Sequence, residues 1–341
     1  MLAAAAPRNA GQFVPALTAR AAPVSCGLMV ADRNARSSGH GAGNAFGAAA
    51  IVLWGSSVAL QRSLGEQLTP IGAAAAVYLV SAAASAAYLA LCPRNLRAIL
   101  RLPPRYLLVC GGLFVGYVPC YYLAVGWASG RQQAIEAGII NYLWTAATVV
   151  FSVPLLGRRA RWTLLPGAGL ALAGIVLVML PGEWSAGEFL ANLRGNWRPY
   201  ALALAGALSW GLYSNLSRRW SPPEAPSAVP LFLIVTGLAM GGLWLAFPGS
   251  ARWTPRTVGE MIFMGVLVTS LGYLFWDLAM RRGNLVLVGS LSYFAPLLSA
   301  AVGALYLRVR PGPGLWIGCG LIVAGAAVCR FSVVDREPER G

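Results

Sequence analysis

The chain has 341 residues, of which 57% are apolar and only 11% charged, roughly half the charge of a soluble domain. Its mean hydropathy is +0.64, and its apolar residues come in runs of about 20, the length that spans a hydrocarbon core of about 30 Å. That composition excludes a soluble enzyme, and continuous runs rich in Ala, Leu and Gly exclude a β-barrel, which needs short alternating strands.

The net charge of +15 does not point to nucleic acid. All 26 basic residues are Arg, and they cluster in short loops between apolar runs, which is the topogenic pattern of a helical membrane protein. The six cysteines form no CxxC pair, and five of them lie in or beside apolar runs, so they read as small buried hydrophobes rather than disulfides or metal ligands.

Residues 1–42 are Ala, Pro, Ser, Gly and Arg without a sustained apolar run. They lack the apolar core of a signal peptide and read as a disordered tail, which also holds His40, the single histidine. Ten spans are predicted after it. The first five, at about 44–64, 70–92, 106–127, 135–156 and 162–181, make a first unit over 43–181. A polar linker follows over 182–198. The second unit, 199–331, holds spans at about 199–217, 227–247, 258–280, 286–307 and 314–331, before a short tail over 332–341. Short loops make consecutive helices antiparallel neighbours. With the N-terminus inside, the inner loops and C-terminal tail carry fourteen Arg against eight outside, before four more in the N-terminal tail. Both termini are therefore predicted to be cytoplasmic.

The two units repeat. An offset of 151 places Gly138 on Gly289, Tyr142 on Tyr293, Gly167 on Gly318 and Ala173-Gly174 on Ala324-Gly325. An offset of 156 places Trp54-Gly55 on Trp210-Gly211. Five spans is an odd number, so the second unit must enter the membrane from the opposite side. The expected fold is all-α and integral to the membrane: ten transmembrane helices as two inverted five-helix repeats around a central cavity, with the solute site where the repeats meet.

The fourth span is the most informative stretch. At 3.6 residues per turn Ala137, Asn141, Trp144, Thr145 and Thr148 share one face, and polar groups at membrane depth usually look into a bundle or cavity. The plain alternative is that each threonine bonds the carbonyl one turn back. Aromatic residues extend the pattern, since a Tyr hydroxyl or Trp N–H in hydrocarbon wants a partner. Trp54, Tyr78, Tyr121, Trp144, Trp210, Tyr213, Trp276 and Tyr293 lie well inside their spans and are the candidates to hold a planar, partly apolar solute. Helix–helix packing explains any one of them equally well; the collective bias favours a cavity. Gln61, Asn141 and Ser292 are candidates for the polar part of a solute, and Glu136 for an ammonium group. Pro154 and Pro296 are candidate gating positions, because proline frees a backbone carbonyl and bends a helix. Trp162, Trp184, Trp197, Trp253 and Trp316 fit the interfacial belt.

No HExxH, Walker loop, GxSxG with a membrane histidine or Cys/His cluster is present, so no catalytic residue, metal or cofactor is expected. Glu260 opens a span, where a carboxylate suits the helix N-terminus, and Asp277 lies four residues before Arg281 as an i,i+4 pair. Glu136 is the remaining intramembrane acid and the candidate for proton coupling.

The segments GNAFGAAAIVLWGSSVAL, PIGAAAAVYLVS, QQAIEAGIINYLW, ALSWGLYS and LSYFAPLLSA resemble the drug/metabolite transporter superfamily (EamA-like), and within it the YddG-type aromatic amino-acid exporters of bacterial inner membranes. The resemblance covers roughly residues 44–331, and QAIEAGIINYLW is its most specific piece. It implies ten helices in two inverted repeats around a central cavity, and export of aromatic amino acids and some drug-like compounds, without an enzymatic activity. The expected partners are a small-molecule substrate and the lipid bilayer, with no nucleic acid, and the chain is expected to act as a monomer. Two departures stand out. Related chains often read NYLWP, and Thr145 replaces that proline, which leaves a kink there open. An acid–base pair common after the fourth and ninth spans is replaced by GRRAR and LRVRPG. A membrane-embedded enzyme, opposed by the missing catalytic sets, is one rival reading, and a transporter of nucleotide sugars or sugar phosphates is the other. It wants Arg or Lys inside the bundle, whereas every Arg here lies at an edge.

Overall fold

The computed structural model describes residues 39–178, 186–222, 225–282 and 291–334. The expected tail up to residue 38, the start of the linker, residues 286–290 of the ninth span and the last seven residues lie outside these. So do the side chains of His40, Asp277 and Arg281. The described chain is helical apart from turns and one two-residue ladder.

In chain order the helices are α1 (Gly39–Gly55), α2 (Ser57–Leu68), α3 (Pro70–Leu91), α4 (Pro93–Leu100), α5 (Gly111–Gly126), α6 (Arg131–Asn141), α7 (Trp144–Leu156), α8 (Leu164–Val178), α9 (Ala186–Trp220), α10 (Val229–Ala246), α11 (Pro255–Ile262), α12 (Gly272–Arg282), α13 (Ala295–Leu307) and α14 (Pro313–Ser332). Wide π-type turns lead into α5 (Tyr106–Cys110) and α12 (Phe263–Leu271). Proline opens α3, α4, α10, α11 and α14, where its missing N–H would have had no intrahelical partner. Seven stretches among the described residues are long and apolar enough to cross a membrane: 41–68, 70–91, 106–126, 131–156, 229–246, 255–276 and 313–332. Large apolar side chains cover the outside, with Leu91, Leu245 and Leu305 each at least 80% exposed, which suits a surface facing lipid tails.

Two of these stretches break near their middle. The first is interrupted at Ser56, whose hydroxyl donates to the Leu53 carbonyl at 2.7 Å. The fourth breaks at Tyr142-Leu143, between α6 and α7, so Thr145 does not keep that helix straight. α9 begins at Ala186, inside the stretch expected as a polar linker, and its one non-helical residue is Asn196 (φ −131°, ψ 23°). The reason is local: AGEFLANL is rich in helix formers, so polarity alone does not make a loop.

α7 and α13 are both 13 residues long and lie 151 positions apart. Each ends in a left-handed residue, Gly157 (φ 65°) and Arg308 (φ 56°). Glycine contacts recur at the two sequence offsets, with Gly55 and Gly211 lying 156 positions apart. A Cβ on Gly55 would lie 2.7 Å from Leu298 in α13, and one on Gly211 in α9 would lie 2.9 Å from Ala147 in α7. Positions 147 and 298 differ by 151. α8 and α14 cross antiparallel on glycine: a Cβ on Gly174 would meet the Gly318 carbonyl at 2.6 Å, and one on Gly325 the Gly167 carbonyl at 2.6 Å. α3 packs on α10, α5 on α9, and α1 on α12. Beyond the helices, Arg159-Ala160 pair antiparallel with Val333-Val334, tying the end of α7 to the end of α14.

Candidate functional site

A partly open cavity among the helices has room for water centres of about 70 Å³, enough for roughly five ordered waters. Its wall is mostly aromatic, and the rings come from separate elements. In the wall Trp54 lies one residue before the end of α1, Trp144 opens α7, Trp210 lies in α9 and Tyr273 in α12, while Trp276 of α12 stands behind them. Their centroid separations close a loop: Trp54–Trp276 5.3 Å, Trp276–Trp144 6.5 Å, Trp144–Trp210 6.4 Å, Trp210–Tyr273 5.6 Å and Tyr273–Trp54 5.6 Å. Pairs at these distances contribute about 0.5–1.5 kcal/mol each beyond area burial, and an aromatic solute entering the loop would make the same kind of contact. Gly272 lets Trp54 sit where it does, because a Cβ there would lie 2.7 Å from the indole nitrogen.

A tyrosine layer from α3 and α5 adjoins the loop. Tyr117 stacks on Tyr121 at 5.6 Å and packs on Trp210 at 5.1 Å, and Tyr78 meets Tyr122 edge-on at 6.1 Å. Polar atoms are spaced among the rings. Asn141 donates its amide to the Tyr117 hydroxyl at 3.2 Å, and the Tyr142 hydroxyl donates to the Trp54 carbonyl at 3.2 Å. Ser57 and Tyr121 share a 3.5 Å contact. The carbonyl oxygens of Gln61 and Asn141 and the hydroxyl of Tyr122 are buried and have no partner among the described residues. All three residues line the cavity. A buried polar atom left unpaired costs about 1–3 kcal/mol, so these atoms suit a polar solute or water.

One to two turns beyond Gln61 on α2, a polar network ties four elements together. The Glu66 carboxylate takes Arg62 at 2.9 Å and both arms of Arg131 at 2.7 and 3.0 Å. Arg131 also donates to the Leu307 carbonyl at the end of α13, at 3.2 Å. The buried Glu260 carboxylate collects Ser63 of α2 at 3.0 Å, Arg256 of α11 at 2.6 Å and the Tyr306 hydroxyl of α13 on a single oxygen.

The EamA-like transporter family profile matches this chain twice, over residues 41–180 and again over 197–331. The chain belongs to the EamA-like transporter family. It is a multi-pass membrane protein. An aromatic amino-acid exporter, YddG, of Salmonella typhimurium is 33% identical over 289 residues, covering 83% of this chain and 95% of its own. The Escherichia coli exporter of the same name is 30% identical over 286 residues, with the same two coverages. A solved crystal structure 31% identical in sequence matches with a TM-score of 0.61, over 86% of this chain and 97% of that one.

Of the EamA-like chain's residues singled out from sequence, Trp54, Gln61, Tyr78, Tyr121, Asn141, Trp144 and Trp210 stand in the cavity wall. Trp276 stands behind that wall, against Trp54 and Trp144. Tyr213 is buried among Phe114, Trp210 and Phe232. Ser292 is buried and Tyr293 half-buried, and neither is in the wall. Glu136 is buried at the contact of α6 with α9, taking the Tyr200 hydroxyl at 2.6 Å and the Gln132 amide at 3.1 Å. Pro154 lies inside α7, and Pro296 sits in the first turn of α13, where it breaks nothing. Thr145 and Thr148 donate to the carbonyls of Tyr142 and Trp144 at 3.0 and 2.6 Å, so the face read into the fourth span narrows to Asn141 and Trp144. Ser57, Tyr117, Tyr122, Tyr142, Met264, Val268, Thr269 and Tyr273 also line the cavity. Met264, Val268 and Thr269 do so from the wide π turn, where Ser270 bonds back to the Gly265 carbonyl. Such turns re-aim side chains and leave no apolar period to read.

Proposed function

We propose that this chain is a bacterial inner-membrane exporter of aromatic amino acids and related amphiphiles, working by alternating access without ATP. The observation that carries this reading is a cavity walled by the rings of Trp54, Trp144, Trp210 and Tyr273, backed by Trp276, that also bears three unpartnered polar atoms. An aromatic amino acid has matching parts: a ring for the loop, and an ammonium and carboxylate for Gln61, Asn141 and Tyr122. The names of the Salmonella and Escherichia relatives agree. No arginine stands in the cavity wall among the described residues, which disfavours a phosphorylated sugar or nucleotide.

The proposed architecture is ten helices in two inverted five-helix repeats, with both termini in the cytoplasm and the monomer as working unit. It is supported by the double family match, by the paired lengths and endings of α7 and α13, and by glycine contacts whose members lie 156 and 151 positions apart, the two offsets of the sequence repeat. The Glu66 and Glu260 network would then lie on the outer face. It closes that side of the cavity by holding α2 against α6, α11 and α13, and its release lets solute leave outward.

Proteoliposomes preloaded with unlabelled Trp test the substrate class. Labelled Trp is expected to enter by exchange and to be competed by Phe and Tyr, but not by a nucleotide sugar. Exchange of a nucleotide sugar with no exchange of Trp would overturn the reading.

A further inference from the structure

α4 has no evident part in the cavity. It follows the 22-residue α3, which is roughly 33 Å long, so it lies a membrane's thickness from the Glu66 network. At 8 residues it is too short to span. Arg94 and Arg97 on α4, and Arg101 just after it, fall on one stripe at i, i+3 and i+7, and all three are exposed. On the other side of the helix Ile99 is buried, as is Leu102 just beyond it, and both join the main core. Between the two faces Leu100 is 59% exposed, and Leu91 at the preceding corner is 83% exposed. The guanidinium of Arg105 lies 5.7 Å over the Trp220 ring, which brings the exposed Arg218 at the end of α9 to the same corner. No acid occurs between Pro93 and Arg105, and Arg94, Arg97 and Arg101 have no ion pair among the described residues.

We propose that α4 and Arg101 form a docking surface for the headgroups of anionic phospholipids in the surrounding bilayer. The chemistry is complementary on three counts. A guanidinium fork matches a phosphate bidentately. The exposed leucines reach the acyl boundary beside it, as on an interfacial helix. An anionic headgroup adds no cation to repel the stripe, whereas choline or ethanolamine does; basic clusters at a membrane edge favour anionic lipid for this reason.

The test uses the full chain purified in neutral detergent. Phosphatidylglycerol or phosphatidylcholine is titrated in while the melting temperature is followed. The wild type is expected to gain several degrees with phosphatidylglycerol over phosphatidylcholine. The variant Arg94→Gln/Arg97→Gln/Arg101→Gln is expected to match the wild type in phosphatidylcholine and to lose more than half of the phosphatidylglycerol gain. An undiminished gain in the variant would overturn the proposal. So would an equal gain with inorganic phosphate alone, because the surface would then be reading a soluble anion. If the triple variant does not fold, Arg97→Gln and Arg97→Lys are compared. Loss of part of the gain in Gln with retention in Lys supports the docking surface, and equal gains in both refute it.

Discussion

Replacing Tyr306 by Phe removes a single hydroxyl from the carboxylate that joins α2, α11 and α13. The ring stays, and with it the stacking of Arg256 at 5.3 Å. A hydrogen bond to a charged acceptor contributes about 1.5–3 kcal/mol. The low end of that range applies, because Ser63 at 3.0 Å and Arg256 at 2.6 Å continue to satisfy the same oxygen. If the bond exists only while that side of the cavity is shut, its loss shifts the open–shut ratio by roughly tenfold. The readout is labelling of a Ser57→Cys reporter in the cavity wall by a membrane-impermeant maleimide. The reagent is added from the side bearing Arg131, with the unsubstituted protein as blank. The labelling rate is expected to rise about tenfold in Tyr306→Phe and to stay unchanged from the opposite side. A change under twofold in a variant that melts like its parent would mean that Glu260 packs helices and gates nothing.

Arg308 holds a left-handed conformation where the first half of the chain has Gly157. A side chain there costs about 1–2 kcal/mol, so Arg308→Gly should raise the melting temperature in detergent, and a lowered one would show that the side chain has a compensating role. Gly174→Leu forces a branched side chain into a 2.6 Å approach to a backbone carbonyl. It should remove most folded protein from size-exclusion profiles, whereas Gly169→Leu, with open space at its Cβ, should not. Glu136→Gln keeps an acceptor for the Tyr200 hydroxyl and lies outside the cavity wall. Trp exchange should persist within about threefold, with its response to a pH gradient unchanged, and loss of that response would make Glu136 the coupling group.

The helical class and most helix positions were legible because continuous apolar runs admit no other solution in a bilayer. The repeat was legible because glycine and tyrosine at a common offset are informative where Ala and Leu are not. Cavity residues were readable where a large ring or an amide stood at membrane depth, as at Trp54, Asn141 and Trp144. Met264 and Val268 were not, since an apolar residue on a π turn reads like any core residue. Tyr213 and Glu136 show the converse. A polar or aromatic residue inside a span signals a need for a partner, and in both cases a neighbouring helix supplies it: Phe114 and Phe232 for one, Tyr200 for the other, with Gln132 one turn back on the same helix as Glu136. The sequence leaves the break at Tyr142-Leu143 open, because Thr145 stands where a proline would have marked it.

The ring loop is tested most directly at Trp144, which touches both Trp210 and Trp276 and so stands in for two of the contacts a solute ring would make. At about 0.5–1.5 kcal/mol per contact, Trp144→Ala should weaken Trp and Phe binding by roughly 5- to 150-fold in equilibrium titrations, while Trp144→Phe recovers most of it. Affinity for Trp unchanged in a folded Trp144→Ala variant would place the substrate somewhere other than this cavity.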